Sequence, residues 1–219
     1  MLIIFDLDGT LADTDSEMDR IVMDILSRNG LKLTPEDFSS NYPFMGMGEF
    51  EKFESFSRKY GMGWSKQKIL KMGWEHESAK QTMYEKNAVE PFDGVLESLR
   101  ELKQRGHVMC IGSSNPSSRS RLFIEGKKLS DYFGERIYGQ DHAGGMTKPD
   151  PSIFRVALEK HAALGPAIVV EDSLSGVEAA QALNIPVLLY DPYGRNPDWR
   201  VSGSFREYSR LPGFIRAFE

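Results

Sequence analysis

The sequence predicts an α/β protein built on a doubly wound parallel sheet, with a helical segment inserted after the first strand. Short apolar runs alternate with segments of helical periodicity, and such runs are typical of parallel strands that are buried on both faces. The runs that predict strands are Leu2–Phe5, Val108–Ile111, Ala167–Val170 and Val187–Tyr190. The helices predicted between them are Val95–Gln104, Arg119–Leu129, Ser152–His161 and Gly176–Leu183.

The segment from residue 17 to residue 86 interrupts this alternation. It contains no apolar run that predicts a strand, and its methionines and aromatic residues recur at helical spacing. Side chains at that spacing are expected to form the core of a small helical subdomain. We therefore expect a discontinuous α/β domain comprising residues 1–16 and 87–219, and a helical domain comprising residues 17–86.

Composition and charge disfavour two classes of partner. The net charge of −5 and the lack of a basic run disfavour nucleic-acid binding through phosphate contacts. No apolar stretch approaches the ~18 residues that a membrane span requires. The single cysteine, Cys110, excludes an intrachain disulfide and fits a reducing cytoplasm. The sequence starts at a predicted core strand, so we expect no signal peptide, a cytoplasmic location and a monomer, with a dimer as the alternative.

Polar residues close three of the predicted strands, at the sheet edge where open parallel sheets bind ligands. In strand order, these residues are Asp6 and Asp8; Ser113, Ser114 and Asn115; and Glu171 and Asp172. Lys148 lies just before a predicted helix start. One edge of one sheet would therefore collect acids, hydroxyls and an ammonium group.

The acidic residues at this edge predict a hard metal ion. If Asp6, Glu171 and Asp172 gathered, each like-charged pair would cost roughly 4 kcal/mol at ~4 Å and an effective dielectric constant near 20. That repulsion requires either a cation or raised pKa values. An oxygen-only set without His or Cys suits Mg²⁺. Taken alone, Glu171-Asp172 would equally fit a helix N-terminus, where acids complement the helix dipole.

The run Ser113-Ser114-Asn115-Pro116 predicts a helix entry, with Pro116 in a favoured first-turn position. Exposed backbone N–H groups and a hydroxyl at such an entry form an anion site. The same residues would also serve simply as a helix cap. The two interpretations are compatible, and we expect Ser113, Ser114 and Asn115 to contact a phosphate group.

Four segments together resemble, in order, the four motifs of the haloacid dehalogenase superfamily. They are Asp6-Leu7-Asp8-Gly9-Thr10, Ser113-Ser114-Asn115, Lys148-Pro149-Asp150-Pro151 and Glu171-Asp172-Ser173-Leu174-Ser175-Gly176. The resemblance spans nearly the whole chain and is weak between residues 17 and 86. It implies a Rossmann-like core with a helical cap inserted after the first strand.

The resemblance also implies a set of residue roles. Asp6 and Asp172 would bind Mg²⁺ through their side chains and Asp8 through its backbone carbonyl, while Glu171 is a further candidate ligand. Asp6 would act as the nucleophile that forms an aspartyl phosphate, and Asp8 as general acid and base. Ser113 would bind the phosphate.

The lysine of the third motif has a role of its own. By resemblance, Lys148 would neutralise both the nucleophile and the transferring phosphoryl group. In a metal site crowded with acids, a cation at this position makes electrostatic sense. The implied activity is a Mg²⁺-dependent phosphatase for a small phosphorylated molecule, such as a sugar phosphate or phosphoglycolate.

Substrate selectivity is expected to reside in the helical segment. The turn around Gly46 is expected to lie at the mouth of the site and contact substrate, although it could be a mere loop between helices. Further possible contacts are Glu17, Glu49, Lys52 and His76. The sequence does not rank them.

Four other functions fit the motifs less well. A dehalogenase lacks the second acid, which Asp8 provides here. A β-phosphoglucomutase-like enzyme typically has valine at the place of Thr10, histidine at the place of Met18 and an arginine in the cap loop. It is disfavoured because this chain has none of the three, including no arginine between residues 44 and 49. A phosphonatase needs a reactive cap lysine, whereas Lys52, Lys66, Lys68 and Lys71 are expected to be solvated. A non-enzymatic phospho-ligand binding protein is disfavoured because all the motif residues are intact.

Overall fold

The computed structural model describes residues 1–40, 49–194 and 199–219. The chain divides into two compact units, one formed by residues 1–13 and 89–219 and the other by residues 14–88. The predicted substrate contact at Gly46 falls among residues 41–48, which lie outside the described residues.

A six-stranded parallel sheet with the order β3-β2-β1-β4-β5-β6 forms the centre of the first unit. The strands are β1 (Leu2–Phe5), β2 (Val108–Gly112), β3 (Ile137–Tyr138), β4 (Ala167–Glu171), β5 (Val187–Tyr190) and β6 (Gly203–Phe205). β1 pairs with β2 on one side and with β4 on the other, so Phe5 lies opposite both Ile111 and Val170. The strand order reverses between β1 and β4, where ligands bind in doubly wound folds. The predicted fold class is confirmed.

Helices flank this sheet and bury its residues. They are α5 (Val95–Gln104), α6 (Ser117–Gly126), α7 (Ser130–Phe133), α8 (Ser152–Lys160), α9 (Leu174–Gln181) and α10 (Leu211–Arg216). Short 3-10 helices occupy Gln140–Ala143, Ala162–Leu164 and Tyr208–Arg210. β1 is buried along its whole length, which explains its unbroken run of apolar residues. Cys110 is buried in β2, as the sequence predicts.

Among the residues that the structure describes, all the regular secondary structure of the second unit is helical. Its helices are α1 (Asp15–Arg28), α2 (Pro35–Ser40), α3 (Glu49–Lys59) and α4 (Lys66–Glu85). Its core consists of Val22, Ile25, Leu26, Leu31, Phe38, Phe53, Phe56 and Met72. Phe38 stacks on Phe56 with ring centroids 5.9 Å apart. Apolar side chains at helical spacing therefore meet in one cluster.

Two sequence expectations for this unit are wrong. Trp74 is 66% exposed rather than part of the core, with Phe50 against its edge. Lys52 is buried rather than solvated. Its position on a helix near the core removes the aliphatic stem of the side chain from water. Glu17 forms an ion pair with Arg20. None of the described helices combines the length and the apolar character that crossing a bilayer requires.

Candidate active site

Three carboxylates meet at the carboxyl edge of the sheet, between β1 and β4. Asp6 directly follows β1, Glu171 ends β4, and Asp172 comes next. The backbone N–H of Asp6 donates to the carbonyl of Val170 at 2.9 Å, which continues the strand pairing into the site. All three side chains are buried, and one oxygen of each lies within 4.8 Å of the others. The structure thus brings Asp6 together with two acids that lie 165 and 166 positions later in the sequence.

Lys148 inserts its ammonium group into this acidic cluster. Its Nζ lies 2.5 Å from Asp6 Oδ1 and 2.5 Å from Glu171 Oε1, and its side chain is only 3% exposed. The same nitrogen lies 4.8 Å from the centroid of the Phe154 ring. The backbone N–H of Lys148 donates to the hydroxyl of Ser114 at 3.2 Å. Both the backbone and the side chain of Lys148 are therefore held in place.

Burial and charge shift the pKa values of this cluster. The pKa of Asp6 is raised to about 7, mainly because burial disfavours the charged carboxylate; Lys148 opposes this rise, and the nearby acids Glu171 and Asp8 add to it. For Lys148, burial alone would lower the pKa, but the carboxylates of Asp6 and Glu171 outweigh it and raise the pKa above its ordinary value. Lys148 is therefore charged near neutral pH, while a further cation would favour the ionised form of Asp6.

Glu171 is enclosed by hydrogen-bond donors. Its Oε2 accepts from the backbone N–H groups of Asp172 and Ser173 and from the Ser173 hydroxyl, each at 2.9 Å. Ser173 also caps α9 by accepting from the N–H of Gly176 at 3.1 Å. A Cβ atom on Gly176 would overlap the Glu171 carboxylate. With Oε1 bound by Lys148, this carboxylate is anchored to the first turn of α9.

Asp172 is held by the loop that follows β1. The Thr10 hydroxyl donates to Asp172 Oδ1 at 2.8 Å, and Thr10 is fully buried. Gly9 adopts a φ of 74°, a conformation that favours glycine, and a Cβ there would overlap the Asp172 carboxylate. Sequence analysis gave Thr10 no role at the site, although its place in the first motif is a signal for one.

Asp8 contacts a different group of residues, which lies at the end of β2. Asn115 Nδ2 donates to Asp8 Oδ2 at 2.9 Å, and Arg119 Nη1 donates to Asn115 Oδ1 at 3.2 Å. The backbone N–H of Asn115 donates to the hydroxyl of Ser113 at 3.1 Å. Arg119 was not predicted; its only sequence signal is the four-residue helical spacing from Asn115.

The described residues bring most of the predicted site together. The residues that meet here are Asp6, Asp8, Ser113, Ser114, Asn115, Lys148, Glu171 and Asp172. The predicted contact at Gly46 lies outside the described residues.

The donor set fits a hard divalent cation. Asp6, Glu171 and Asp172 supply only oxygen atoms, and Lys148 contributes a single positive charge against three acids. The raised pKa of Asp6 shows that one ammonium group does not offset the burial of this carboxylate and its acidic neighbours. Mg²⁺ in proteins prefers oxygen ligands such as these carboxylates, whose negative charge exceeds the single positive charge of Lys148.

Comparison with known proteins identifies the family. Residues 3–190 match the family model described as haloacid dehalogenase-like hydrolase, so the chain belongs to this family. The family and the enzyme class predicted from the four motifs, a hydrolase of this superfamily, are confirmed.

Several curated proteins are similar to the chain over most of its length. It is 29% identical to a phosphorylated carbohydrates phosphatase of Thermotoga maritima over 84% of this chain and 81% of that protein. It is 26% identical to a phosphoglycolate phosphatase of Rhodobacter capsulatus over 99% of this chain and 97% of that protein. It spans only 17% of the Arabidopsis thaliana protein SUPPRESSOR OF QUENCHING 1, chloroplastic, with 29% identity over 84% of this chain.

Among solved structures, one similar fold is a conserved haloacid dehalogenase-like protein of unknown function from Agrobacterium tumefaciens. The TM-score is 0.81 with 24% identity, over 99% of this chain and 98% of that one. This likeness extends the agreement in fold over nearly the full chain.

Proposed function

We propose that this protein is a Mg²⁺-dependent phosphatase that hydrolyses a small phosphomonoester through an aspartyl phosphate on Asp6. The observation that carries the proposal is the buried carboxylate of Asp6 at the end of β1, 2.5 Å from the ammonium group of Lys148 and beside Asp172. The names of similar proteins, phosphatases of phosphorylated carbohydrates and of phosphoglycolate, support this substrate class.

In the first half-reaction, a carboxylate oxygen of Asp6 attacks phosphorus and the bond to the leaving alcohol breaks. Charge then leaves Asp6 and spreads over the phosphoryl oxygens. Lys148, already within hydrogen-bond distance of Asp6, is placed to stabilise those oxygens. Ser113, buried at the end of β2, is the proposed hydroxyl contact to the phosphoryl group.

Asp8 is the proposed proton shuttle. It gives a proton to the leaving alcohol in the first half-reaction and takes one from water in the second, when the aspartyl phosphate is hydrolysed. Asp8 lies two residues beyond Asp6, is half-buried and forms no part of the Asp6–Lys148–Glu171 set of ion pairs among the described residues.

We propose that Asp6 and Asp172 hold Mg²⁺ through their carboxylates and Asp8 through its backbone carbonyl. When bound, the ion would shield the negative charge of phosphate oxygens. Glu171 is the less favourable ligand of the predicted set, because its two oxygens already accept from Lys148, Asp172 and Ser173. Its proposed role is to hold Lys148.

The helical unit, residues 14–88, is the proposed cap domain and the proposed source of substrate selectivity. Lys52 and His76 are buried within this unit, so they are not ordinary solvated side chains. Gly46 remains a proposed substrate contact.

The test is phosphate release across a panel of sugar phosphates, phosphoglycolate and nucleotides, with and without Mg²⁺, beside an Asp6→Asn variant. We expect release that requires the metal and falls by at least about 10³-fold in the variant. Trapping of ³²P from labelled substrate on wild-type protein and not on the variant would identify the acyl phosphate. Isomerisation of β-glucose 1-phosphate without phosphate release would instead indicate a mutase, and equal release by the variant would overturn the role of Asp6.

A further inference from the structure

We propose that Asn115 and Arg119 form a positioning chain for Asp8, so that the Asn115 side chain serves the acid–base step and is not a phosphate ligand. The inference deepens the proposed phosphatase function and rests on it. It departs from the sequence prediction, in which Asn115 was expected to contact phosphate. The fold places the three side chains of Asp8, Asn115 and Arg119 in a row.

Both ends of the Asn115 amide are in use. Its Nδ2 donates to Asp8 Oδ2 at 2.9 Å, and its Oδ1 accepts from Arg119 Nη1 at 3.2 Å. These partners fix the orientation of the amide, because a carboxylate needs a donor and a guanidinium needs an acceptor. Asn115 is 4% exposed and Arg119 is 7% exposed, so both bonds lie largely out of water.

The backbone around Asn115 is equally constrained. Its N–H donates to the Ser113 hydroxyl at 3.1 Å, and its carbonyl accepts from the N–H of Gln140 at 3.2 Å. A Cβ atom on Gly139 would overlap the Asn115 carbonyl, so the chain passes close to it. Because Arg119 belongs to α6, the row links Asp8 to a regular helix through two hydrogen bonds.

This geometry selects the oxygen of Asp8 that carries the proton. The amide Nδ2 can only donate, so Asp8 Oδ2 remains an acceptor in both protonation states. The transferable proton therefore belongs on Oδ1. As the Asp6–phosphorus bond forms and the phosphorus–alcohol bond breaks, Oδ1 gives its proton to the alcohol oxygen. In hydrolysis, Oδ1 takes a proton from the water whose oxygen bonds to phosphorus. The Asp6–phosphorus bond then breaks and phosphate leaves, which restores the starting state of Asp8 and Asp6.

A chain of this kind has a selective kinetic effect. Proton donation matters most when the leaving group is a poor one, such as an alkyl alcohol, and little when it is 4-nitrophenolate. A phosphate ligand, by contrast, supports every phosphomonoester in the same way. The two roles for Asn115 therefore predict different dependence on the leaving group.

The test compares wild type with Asn115→Leu, which keeps the branched shape of the side chain and removes its hydrogen bonds. The readouts are kcat and KM for an alkyl phosphate, the pre-steady-state burst of 4-nitrophenolate from 4-nitrophenyl phosphate, and the inhibition constant of inorganic phosphate. We expect kcat for the alkyl phosphate to fall about 10- to 100-fold, because the acid Asp8 remains but is no longer held in position. The burst rate, KM and phosphate inhibition should stay within about threefold.

Substitutions of Arg119 provide a second test, with a control at Arg121. Arg119→Met should show a smaller loss with the same leaving-group dependence, and Arg119→Lys should restore part of it. Arg121→Met makes the same substitution two residues along α6, in a side chain that pairs with exposed Glu135, and should change nothing. If Asn115→Leu fails to fold, the Arg119 pair carries the same comparison.

A double variant decides between positioning and direct contact. In an Asp8→Asn background, Asn115→Leu should add no further loss, because it acts through a group already removed. Losses that multiply, or a weaker affinity for phosphate, would overturn the inference and leave the phosphatase intact. A wild type that releases phosphate from no substrate would overturn the proposed function, and the role of Asn115 with it.

Discussion

Charged side chains are arranged in opposite ways in the two units of this protein. In the helical unit, Arg28 pairs with Asp24 and Glu75 at 3.0 and 3.4 Å, and its side chain is 56% exposed. In the α/β unit, Lys148 pairs with two acids at 2.5 Å while its side chain is 3% exposed. The helical unit has an apolar core cluster and exposes these charges, although it also buries Lys52, whereas the α/β unit gathers buried charges of both signs at one sheet edge.

This difference distinguishes ion pairs at an exposed surface from buried ion pairs that form a site. Exposed pairs contribute about 0.2–1 kcal/mol and are screened by salt. Buried pairs carry a desolvation penalty that an apolar cluster of the same size avoids, so they are poor devices for stability alone. A buried cluster with a perturbed pKa at a strand end is therefore best explained by chemistry.

The largest effect is expected when the central cation is removed. Lys148→Met should leave two buried carboxylates without their partner, lower the free energy of unfolding by about 3–5 kcal/mol and reduce phosphate release by at least about 10²-fold. Urea unfolding at pH 8 and the phosphate assay measure the two effects. Lys71→Met is the matched control, because the Lys71 side chain pairs with Glu75 and is 78% exposed. Equal stability of the two variants would contradict the comparison.

A slightly smaller effect is expected from the ionisation of Asp6 in protein treated with a chelator. Burial raises its pKa from 3.8 to about 7, so the folded state favours the neutral form. The contribution of neutral Asp6 to the free energy of unfolding is complete below about pH 4 and is lost as the pH rises through 7. The shift corresponds to at most roughly 4 kcal/mol.

The measurement is chemical unfolding at pH 5 and pH 8.5 in the presence of a chelator. Wild type should lose more stability than Asp6→Asn over this interval, since the variant cannot ionise. At pH 8.5 the variant should therefore be the more stable protein while lacking phosphate release. Identical pH dependence in the two proteins would show that Asp6 has an ordinary pKa.

An intermediate effect is expected where α9 approaches Glu171. Gly176→Ala would push a methyl group into the Glu171 carboxylate and so disturb Lys148; overpacking of this kind costs about 1–3 kcal/mol. Gly213→Ala in α10 is the control: no described atom lies within 4 Å of the added Cβ, so up to about 1 kcal/mol of stabilisation is expected. Thermal unfolding separates the two, and a neutral Gly176→Ala would refute the anchoring of Glu171.

The sequence predicted the central strands of the sheet and missed its edges. β1, β2, β4 and β5 are apolar runs because helices cover both faces of the sheet. β3 has two residues and β6 reads Gly-Ser-Phe, so neither carries a pattern that distinguishes a strand from a loop. Their assignment depends on pairing with β2 and β5, which is a tertiary interaction.

The same distinction applies to the site. Asp6, Lys148 and Asp172 were predicted because each motif places its candidate residue close to a strand or helix end, and the structure gathers all three at one sheet edge. The role of Thr10 was missed, because the Asp172 carboxylate to which its hydroxyl donates lies 162 positions away in sequence. The burial of Lys52 also depends on packing and leaves no pattern in the chain.

The smallest effect is expected at the surface of the helical unit, and it completes the comparison. Arg28→Met removes two exposed ion pairs, so it should lower the free energy of unfolding by about 0.2–1 kcal/mol and leave phosphate release within about twofold of wild type. In 0.5 M salt the difference should shrink further, because screening weakens exposed pairs. The Lys148→Met loss should persist in the same salt, because its partners are buried. A salt-resistant loss at Arg28 would mean that the helical unit also depends on its charges.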